Sequence, residues 1–326
     1  MLAEQTRNEV LETELRAQLD VVEAALLRAA EAQTPMVTEA AQHIIAAGGK
    51  RFRPLLVALT ARLGPTAAPD DVVKAAVVVE LTHVASLYHD DVMDEALLRR
   101  GSVSANSRWG NTVAILVGDL LFARASDTVS ELGSEFVRIQ ARTFSRLVQG
   151  QIAETVGPAP DQDPLDHYLQ VVADKTAALI ATSALFGAKI SGCDPVVQER
   201  MADFGEQIGM VFQLSDDIID ITSDVTGKTP GTDLREGIPT LPTLLARRSA
   251  DPGDARLLEL LDSDLRDDDA LAEALQLLRT HPALDQARAE VDRRARAARG
   301  LLVDLPPSPA RTALEGLCDS VVTRSA

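Results

Sequence analysis

The sequence contains 326 residues, of which 46% are hydrophobic and 3% aromatic, and its net charge is −17. The excess of Asp and Glu argues against nucleic acid or an anionic membrane surface as a general partner. Ala and Leu outnumber the β-branched and aromatic residues that sheets prefer, so the composition favours helices packed on helices.

The cysteines and the N-terminal residues indicate the cellular compartment in which the protein is expected. Cys193 and Cys318 are too few for a disulfide framework and suit a reducing environment. The N-terminal residues are polar and acidic, without the apolar core of a signal peptide. No run approaches the length of about 18 apolar residues that a membrane span needs. We therefore expect a cytoplasmic protein without a transmembrane span.

The first half of the chain has the apolar spacing of helices and no convincing strand. The predicted helices run from about residue 2 to 32, 37 to 47, the Pro54 region to 63, 72 to beyond 94, 112 to 132 and 135 to 155. Asp70 or Asp71 is expected to cap the fourth helix. An Arg99-Arg100-Gly101 loop and an irregular segment from Asn106 to Gly110 are expected to separate the fourth helix from the fifth.

The second half continues the helical pattern. A helix is predicted from Asp166 to Lys189, and Asp194-Pro195 is expected to open another that ends near Ile221. A loop rich in Gly, Thr and Asp follows from Thr222 to Pro239, and about four further helices complete the chain. Because no linker or repeat interrupts the pattern, we predict one all-α domain over residues 1–326.

The fourth predicted helix ends in three carboxylates, Asp90, Asp91 and Asp94. Asp90 and Asp94 are one turn apart on the same face, and Asp91 is rotated from them by about 100°. The three charges repel one another, and the helix dipole disfavours anions at a C-terminus. A multivalent cation would resolve this conflict, so the cluster predicts a metal site.

The same spacing of acids recurs at Asp216, Asp217 and Asp220. A solvated helix end is the alternative for each match, but two matches at the ends of apolar helices favour metal ligation. Ligand sets made only of oxygen select Mg²⁺ or Mn²⁺ over zinc. Two such carboxylate walls facing each other would bind a diphosphate through bridging ions and promote its departure as a leaving group.

Several cations run against the overall charge of the chain. Lys50, Arg53 and Arg100 could form an anion site that needs no metal, because the guanidinium geometry suits phosphate. Arg99 directly follows the first cluster, and its alternative role is a surface ion pair of little energetic weight.

Two isolated lysines and two histidines complete the candidates. Lys175 and Lys228 could reach a metal-bound diphosphate, and the alternative for each is a solvated side chain. His83 could donate a hydrogen bond to an anion, although a histidine on an apolar face is more often a core residue. We assign His89 a structural role.

Nine short motifs carry a resemblance to a known family. In chain order they are GGKRFRP (48–54), HDDVMD (89–94), RRG (99–101), WGN (109–111), GD (118–119), KT (175–176), FQLSDDIID (212–220), GK (227–228) and GTDLREG (231–237). Over roughly residues 40 to 245 the sequence resembles the trans-isoprenyl diphosphate synthases, also called polyprenyl synthetases. The resemblance implies a homodimer with the isoprenoid synthase fold, an all-α bundle of about ten core helices around a deep central cavity.

The resemblance also implies a reaction. An allylic diphosphate held by three Mg²⁺ ions ionises to a carbocation, isopentenyl diphosphate attacks it, and loss of a proton restores the alkene. Mn²⁺ is an expected substitute for Mg²⁺. In the family the released diphosphate is the favoured proton acceptor, which agrees with the lack of an obvious general base in this sequence.

Residue roles follow from matching positions in the motifs. The expected catalytic residues are Asp90, Asp91, Asp94, Asp216, Asp217, Asp220 and Lys175. The expected metal ligands among them are Asp90, Asp94, Asp216 and Asp220. The expected isopentenyl diphosphate site contains Lys50, Arg53, His83 and Arg100. The expected allylic diphosphate site contains Arg99, Lys175, Thr176, Gln213 and Lys228. Ile238 stands where many relatives carry a Lys, so one allylic contact is not carried over, a loss that relatives making long chains often tolerate.

Product length is expected to depend on the residues one to two turns before Asp90. Thr82, Ala85 and Ser86 are all small, so a tunnel for the growing chain would stay open and give products beyond C20, in the range C30 to C50. The alternatives are a short-chain product, geranylgeranyl or farnesyl diphosphate, or small residues that only permit helix packing. Tyr88 and Phe122 are candidate obstacles.

Three other functions compete with this interpretation. A class I terpene cyclase typically has an Asn/Asp-Ser/Thr-Glu second motif, and head-to-head synthases use a different acid spacing. A non-catalytic prenyl-binding subunit commonly lacks one aspartate motif, whereas this chain has both. The expected partners are therefore isopentenyl diphosphate and an allylic diphosphate, without nucleic acid. A peripheral membrane contact for product release stays open.

Overall fold

The structure is a computed structural model that describes residues 2–222 and 230–323, with side chains for residues 9–222 and 230–322. Helices dominate this part of the chain, and the prediction of an all-α fold is confirmed. The first eight helices are α1 (Leu2–Ala29), α2 (Pro35–Ala46), α3 (Phe52–Thr60), α4 (Pro69–Met93), α5 (Ala105–Trp109), α6 (Asn111–Ser130), α7 (Ser134–Val156) and α8 (Pro164–Val172).

A π-helical turn, Ala173–Ala177, joins α8 to the next helix, and a 3-10 turn, Pro252–Asp254, precedes α13. The remaining described helices are α9 (Ala178–Ile190), α10 (Pro195–Thr222), α11 (Thr232–Glu236), α12 (Leu241–Ala246), α13 (Ala255–Leu261), α14 (Asp268–Thr280), α15 (Pro282–Gly300) and α16 (Pro309–Thr323). The predicted long helices thus recur with ends that differ by a few residues.

The chain divides into two compact units. Unit 1 comprises the residues up to Ser145 with Leu179–Gly205 and Leu305–Leu314, and unit 2 comprises Arg146–Ala178, Glu206–Asp304 and the residues from Glu315. The single domain over residues 1–326 and its central cavity stay predictions.

Helix α4 belongs to unit 1 and carries the first aspartate cluster. It begins at Pro69, whose fixed φ suits the first turn, and its N-cap is Ala68. The prediction that Asp70 or Asp71 caps this helix is therefore wrong, because both lie inside the first turn, where their charges suit the helix dipole. Helices α1, α3, α5 and α6 pack against α4, which explains why it is apolar on several faces.

A short β-hairpin follows α4, so the prediction of no strand is wrong at this point. Strand β1 (Leu98–Arg99) pairs antiparallel with β2 (Ser102–Val103). Arg100 and Gly101 form the turn with φ angles of 52° and 77°, and a two-residue type I′ turn needs positive φ at both positions. The following segment, predicted to be irregular, contains the short helix α5.

Helix α10 carries the second cluster and, as predicted, follows a capping Asp194, whose Oδ1 accepts a hydrogen bond from the Val197 N–H at 3.0 Å. Within unit 2, apolar side chains of α10 pack against α12 and α15. This buried cluster includes Val211, Leu214, Ile218, Leu241, Leu284, Ala287 and Val291. The packing fixes which face of α10 turns inward at the acidic cluster.

Two helical segments of the described chain are long and apolar enough to cross a membrane by length and composition, Pro69–Met93 and Pro164–Ile190. Their apolar windows are 67% and 72% buried inside the protein. Buried core helices of globular proteins meet the same criteria, so these segments are weak evidence for a membrane span.

Candidate active site

The C-terminus of α4 presents two carboxylates on one face. Asp90 is half-buried and Asp94 is exposed. They lie one turn apart, and the Asp94 N–H donates to the Asp90 carbonyl at 2.8 Å. Both acids sit at the negative end of the helix dipole, where anions are destabilised. A divalent cation bound here would remove this electrostatic penalty.

Asp91 faces the interior of unit 1. Nε and Nη2 of Arg99 each lie 2.6 Å from its Oδ1. Asn106 Nδ2 donates to its backbone carbonyl at 3.0 Å, and its buried Oδ2 has no hydrogen-bond partner in the described part of the chain. Burial raises the pKa of Asp91, and the Arg99 guanidinium opposes this shift. The pair anchors the β-hairpin to α4.

In the second cluster, as in the first, the middle acid is more buried than the acids on either side of it. Asp216 and Asp220 are half-buried, whereas Asp217 is buried. Asp220 Oδ1 and Oδ2 accept from the backbone N–H groups of Thr232 and Asp233, each at 3.2 Å. The first and last acids therefore retain accessible surface in both clusters, and the middle acid is buried. The catalytic roles expected for Asp91 and Asp217 stay predictions, and this geometry favours positioning roles for them.

A cluster of arginines surrounds the buried carboxylate of Glu80 in unit 1. Arg51 Nη1 donates to Glu80 Oε1 at 3.0 Å, and its Nε and Nη2 donate to the two oxygens of Glu23 at 2.6 and 2.7 Å. Arg100 Nη2 lies 3.8 Å from Glu80 Oε1, and Arg100 also donates to the carbonyls of Ile44 and Gly48. Glu80 thus holds several cations close together.

Two other residues expected to bind isopentenyl diphosphate, Arg53 and His83, lie near the same cluster. Arg53 feels the charges of Glu80 and Arg100, and burial lowers its pKa to about 10, so it remains a cation. Its buried Nε has no hydrogen-bond partner among the described residues. Burial and the neighbouring arginines hold the pKa of His83 well below its usual value. His83 is therefore a neutral imidazole with one N–H donor, and Lys50 is exposed.

Sequence reasoning missed Arg51 and Glu80. Arg51 had a weak signal as the third cation of the Lys50–Arg53 segment, and its φ of 45° shows the tight left-handed backbone at the start of α3. Glu80 had no signal, because an acid within an apolar run does not reveal the partners that tertiary packing brings to it.

In unit 2, Lys175 and Thr176 lie within the π-helical turn. Lys175 Nζ pairs with Glu154, and the Thr176 hydroxyl lies 3.4 Å from Gln213 Oε1. A π-turn inserts one extra residue into a helix and often occurs at functional sites. Two glycines flank it closely, since a Cβ on Gly150 would lie 2.7 Å from Lys175 N and one on Gly209 would lie 2.6 Å from Ala177 Cα. These glycines were not found from the sequence.

Replacing Gly209 by alanine should displace the π-turn. The added Cβ would also lie 2.8 Å from Ala177 Cβ, and overpacking of this kind costs about 1–3 kcal/mol. We expect the free energy of unfolding in urea to fall by that amount. The matched control is Gly316→Ala on α16, where an added Cβ meets nothing within 4 Å. Equal stabilities of the two variants would contradict this account.

The residues expected to set product length lie on α4. Thr82 is buried, with its hydroxyl donating to the Val78 carbonyl at 2.8 Å, and Ala85 is fully buried. Helix α6 approaches closely at Ala85, since a Cβ on Gly118 would lie 3.2 Å from the Ala85 carbonyl oxygen. Ser86 is half-buried. Two of the three positions thus lie in tight packing, which keeps the helix-packing alternative open for them.

The two candidate obstacles are both engaged elsewhere in unit 1. Tyr88 is buried, and its hydroxyl donates to the Ala40 carbonyl of α2. The Phe122 ring lies 4.4 Å from the Phe144 ring and 5.6 Å from that of His89, measured between centroids. His89 Nε2 contacts the Ile115 carbonyl at 3.1 Å, which agrees with its structural assignment.

Comparison with known proteins identifies the family. The family model described as polyprenyl synthetase matches residues 34–278. The chain belongs to the polyprenyl synthetase family. It is 45% identical to the nonaprenyl diphosphate synthase of Mycobacterium tuberculosis over 318 residues, covering 97% of this chain and 90% of the relative. The resemblance inferred from the nine motifs is thereby confirmed.

Solved structures agree on the isoprenoid synthase fold of this polyprenyl synthetase chain. A geranylgeranyl pyrophosphate synthase from Corynebacterium glutamicum, complexed with calcium and isoprenyl diphosphate, matches with a TM-score of 0.88 and 43% identity, covering 97% of this chain and 98% of that one. A decaprenyl diphosphate synthase from Rhodobacter capsulatus matches with a TM-score of 0.89 and 32% identity, covering 98% and 99%.

In this polyprenyl synthetase, several of the expected site residues lie close to one another within a single unit. Thr176 contacts Gln213 in unit 2. In unit 1, Arg53 and Arg100 lie near Glu80, and His83 lies near these arginines. Lys228 lies outside the described residues. Ile238 is 42% exposed, and its N–H donates to the Asp233 carbonyl at 2.8 Å. The roles assigned to these residues stay predictions.

Proposed function

We propose that this chain is a divalent-cation-dependent prenyltransferase that condenses isopentenyl diphosphate with an allylic diphosphate and repeats the step to make a polyprenyl diphosphate. The observation that carries the proposal is the arrangement of the two clusters, each with accessible first and last acids and a buried middle acid. Membership of the polyprenyl synthetase family and the similarity to the nonaprenyl and decaprenyl diphosphate synthases support it.

Mg²⁺ is the cation that we propose, with three ions at each active site and Mn²⁺ as a substitute. Asp90 and Asp94 would hold it at α4, and Asp216 and Asp220 at α10. In the described chain no group of three or more His, Cys, Asp or Glu side chains is arranged as a metal site. Pairs of carboxylates suit Mg²⁺, which keeps several waters and completes its shell with substrate phosphates. Bound Mg²⁺ neutralises the charge that develops on a departing diphosphate.

The protein's own side chains bind and orient the substrates. Arg53 and Arg100 offer guanidinium groups to the isopentenyl diphosphate, joined by Lys50 and by the N–H of neutral His83. Thr176 and Gln213 contact the allylic diphosphate. Lys175 pairs with Glu154 in the structure, so it exchanges this partner for the diphosphate when substrate binds. The released diphosphate takes the proton at the end of each cycle.

The proposed function is tested by incubating the purified chain with Mg²⁺, farnesyl diphosphate and labelled isopentenyl diphosphate, and measuring label in extractable lipid. We expect incorporation that is lost on chelation and restored by adding Mg²⁺. A chain that binds prenyl diphosphate and releases no product, alone and at high concentration, would instead be the non-catalytic subunit considered above.

We propose a product longer than C20 and predict that Ser86→Phe shortens it. Ser86 is half-buried, whereas Ala85 is fully buried in the close α4–α6 contact. A ring placed about 6 Å before Asp90 would block a growing chain within a few isoprene units. Product chains are compared by mass spectrometry with wild type and with Ser86→Ala as control. Termination at C15 or C20 in wild type would contradict the open tunnel.

The homodimer and the cytoplasmic location are also proposals. Exposed apolar side chains on α6, Ile115 at 42% and Leu116 at 61%, support self-association in unit 1. A mass in solution equal to one chain would contradict the dimer. The proposed location rests on the composition of the chain. A peripheral membrane contact for product release is tested by separating membranes from soluble protein and locating the labelled product.

A further inference from the structure

Asp217 is the centre of a hydrogen-bond network within unit 2. Its Oδ2 accepts from the Tyr168 hydroxyl on α8 and from the Leu241 N–H at 2.9 Å, and its Oδ1 accepts from Gln213 Nε2 at 3.2 Å. The donors come from α8, from the start of α12 and from α10 itself. Both oxygens of this carboxylate are thus engaged by the protein, and the side chain is buried, whereas Asp216 and Asp220 are half-buried.

The network determines how the Gln213 amide is oriented. A carboxylate only accepts hydrogen bonds, so Asp217 selects the NH₂ group of Gln213. The amide oxygen of Gln213 must then point the other way, and it lies 3.4 Å from the Thr176 hydroxyl. Amide orientation follows from such partners rather than from the amide's shape. Asp217 thereby influences the orientation of the Thr176 hydroxyl on the π-turn through Gln213, without contacting Thr176 itself.

Tyr168 holds Asp217 in place. Its ring packs against two buried clusters, one containing Val172, Ala177 and Met210 and the other containing Val211 and Leu214. Packing against both clusters restrains the ring, so its hydroxyl approaches Asp217 from a defined direction. A flexible donor could not set the position of the carboxylate in this way.

We propose that Tyr168 and Asp217 are positioning residues that orient Gln213 and Thr176 toward the allylic diphosphate. This inference rests on the proposed function, because it names the diphosphate that the oriented groups receive. Asp217 acts through Gln213 rather than by binding metal, since its carboxylate is buried among protein donors. Tyr168 acts one step further away, through Asp217.

The main test is Tyr168→Phe, which removes one hydroxyl and keeps the ring. We expect KM for the allylic diphosphate to rise roughly tenfold, as the loss of a hydrogen bond to a charged group predicts, with KM for isopentenyl diphosphate unchanged. The matched control is Tyr88→Phe, which removes a buried hydroxyl bonded to the Ala40 carbonyl in unit 1. That variant should leave the allylic KM at the wild-type value.

A double-mutant cycle separates positioning from a loss of stability. In the Gln213→Ala background, Tyr168→Phe should change the allylic KM less than twofold, because the group that it orients is gone. An equal rise in both KM values, or the same rise in the Gln213→Ala background, would overturn the proposal. The proposal would also be overturned if Tyr168→Phe lowered stability and left KM for the allylic diphosphate unchanged.

Binding of inorganic pyrophosphate with Mg²⁺, measured by calorimetry, distinguishes this proposal from the proposed function. If wild type shows no condensation, the proposed function fails. Weaker pyrophosphate binding by Tyr168→Phe than by Tyr88→Phe would still support the positioning role, and equal binding by the two variants would overturn it.

Discussion

Alanine in place of Asp90 or of Asp216 is expected to lower the rate of prenyl transfer by about a hundredfold to a thousandfold without unfolding the protein. This range is typical of removing one group that stabilises developing charge in a transition state. Both acids are half-buried at clusters whose middle acid faces inward. Their removal relieves repulsion within the cluster, so stability should be unchanged or slightly higher.

The measurement compares initial rates of isopentenyl diphosphate incorporation at several Mg²⁺ concentrations, with thermal unfolding as a check on the fold. Asp161→Ala is the control, since Asp161 is an exposed loop acid that belongs to neither cluster. The two active-site variants should need more Mg²⁺ for half-maximal rate, and the control should not. Wild-type activity in both Asp90→Ala and Asp216→Ala would refute the metal-ligand assignment.

The long helices could be predicted because their signals are local. The apolar spacing before Asp90 and before Asp216 marks α4 and α10, and Asp194-Pro195 marks the start of α10. The acid spacing likewise showed that Asp91 and Asp217 lie on a different face from their neighbours. It did not show that this face is the buried one, because the neighbouring residues on that side come from α5, α8 and α12.

The missed features depend on pairing and packing over longer distances. Strands of two residues are too short to give an alternating pattern, so the hairpin around Arg100-Gly101 looked like a loop. Tyr168 carries no motif of its own, and only the fold brings its hydroxyl to Asp217. Gly209 also carries no motif, and only the fold brings Ala177 so close to it that a Cβ would not fit.

Replacing Glu80 by alanine is expected to lower the free energy of unfolding by about 3–5 kcal/mol, the usual cost of removing one partner from a buried ion pair. Glu80 is 2% exposed, and its carboxylate lies against Arg51 at 3.0 Å and Arg100 at 3.8 Å. Without it, the charges of Arg51, Arg53 and Arg100 would repel one another in a partly buried site. Glu23 would still compensate Arg51, which keeps the effect below complete unfolding.

Urea unfolding of Glu80→Ala should be compared with that of Glu39→Ala, which removes an exposed partner of Arg108 and should cost less than about 1 kcal/mol. The double variant Glu80→Ala/Arg51→Ala should be more stable than the sum of the single changes predicts, because either single change already breaks the Glu80–Arg51 ion pair. KM for isopentenyl diphosphate should rise in Glu80→Ala, since Arg53 and Arg100 lose the carboxylate that holds them together. A loss of stability no larger than that of Glu39→Ala would show that Glu80 does not organise this cluster.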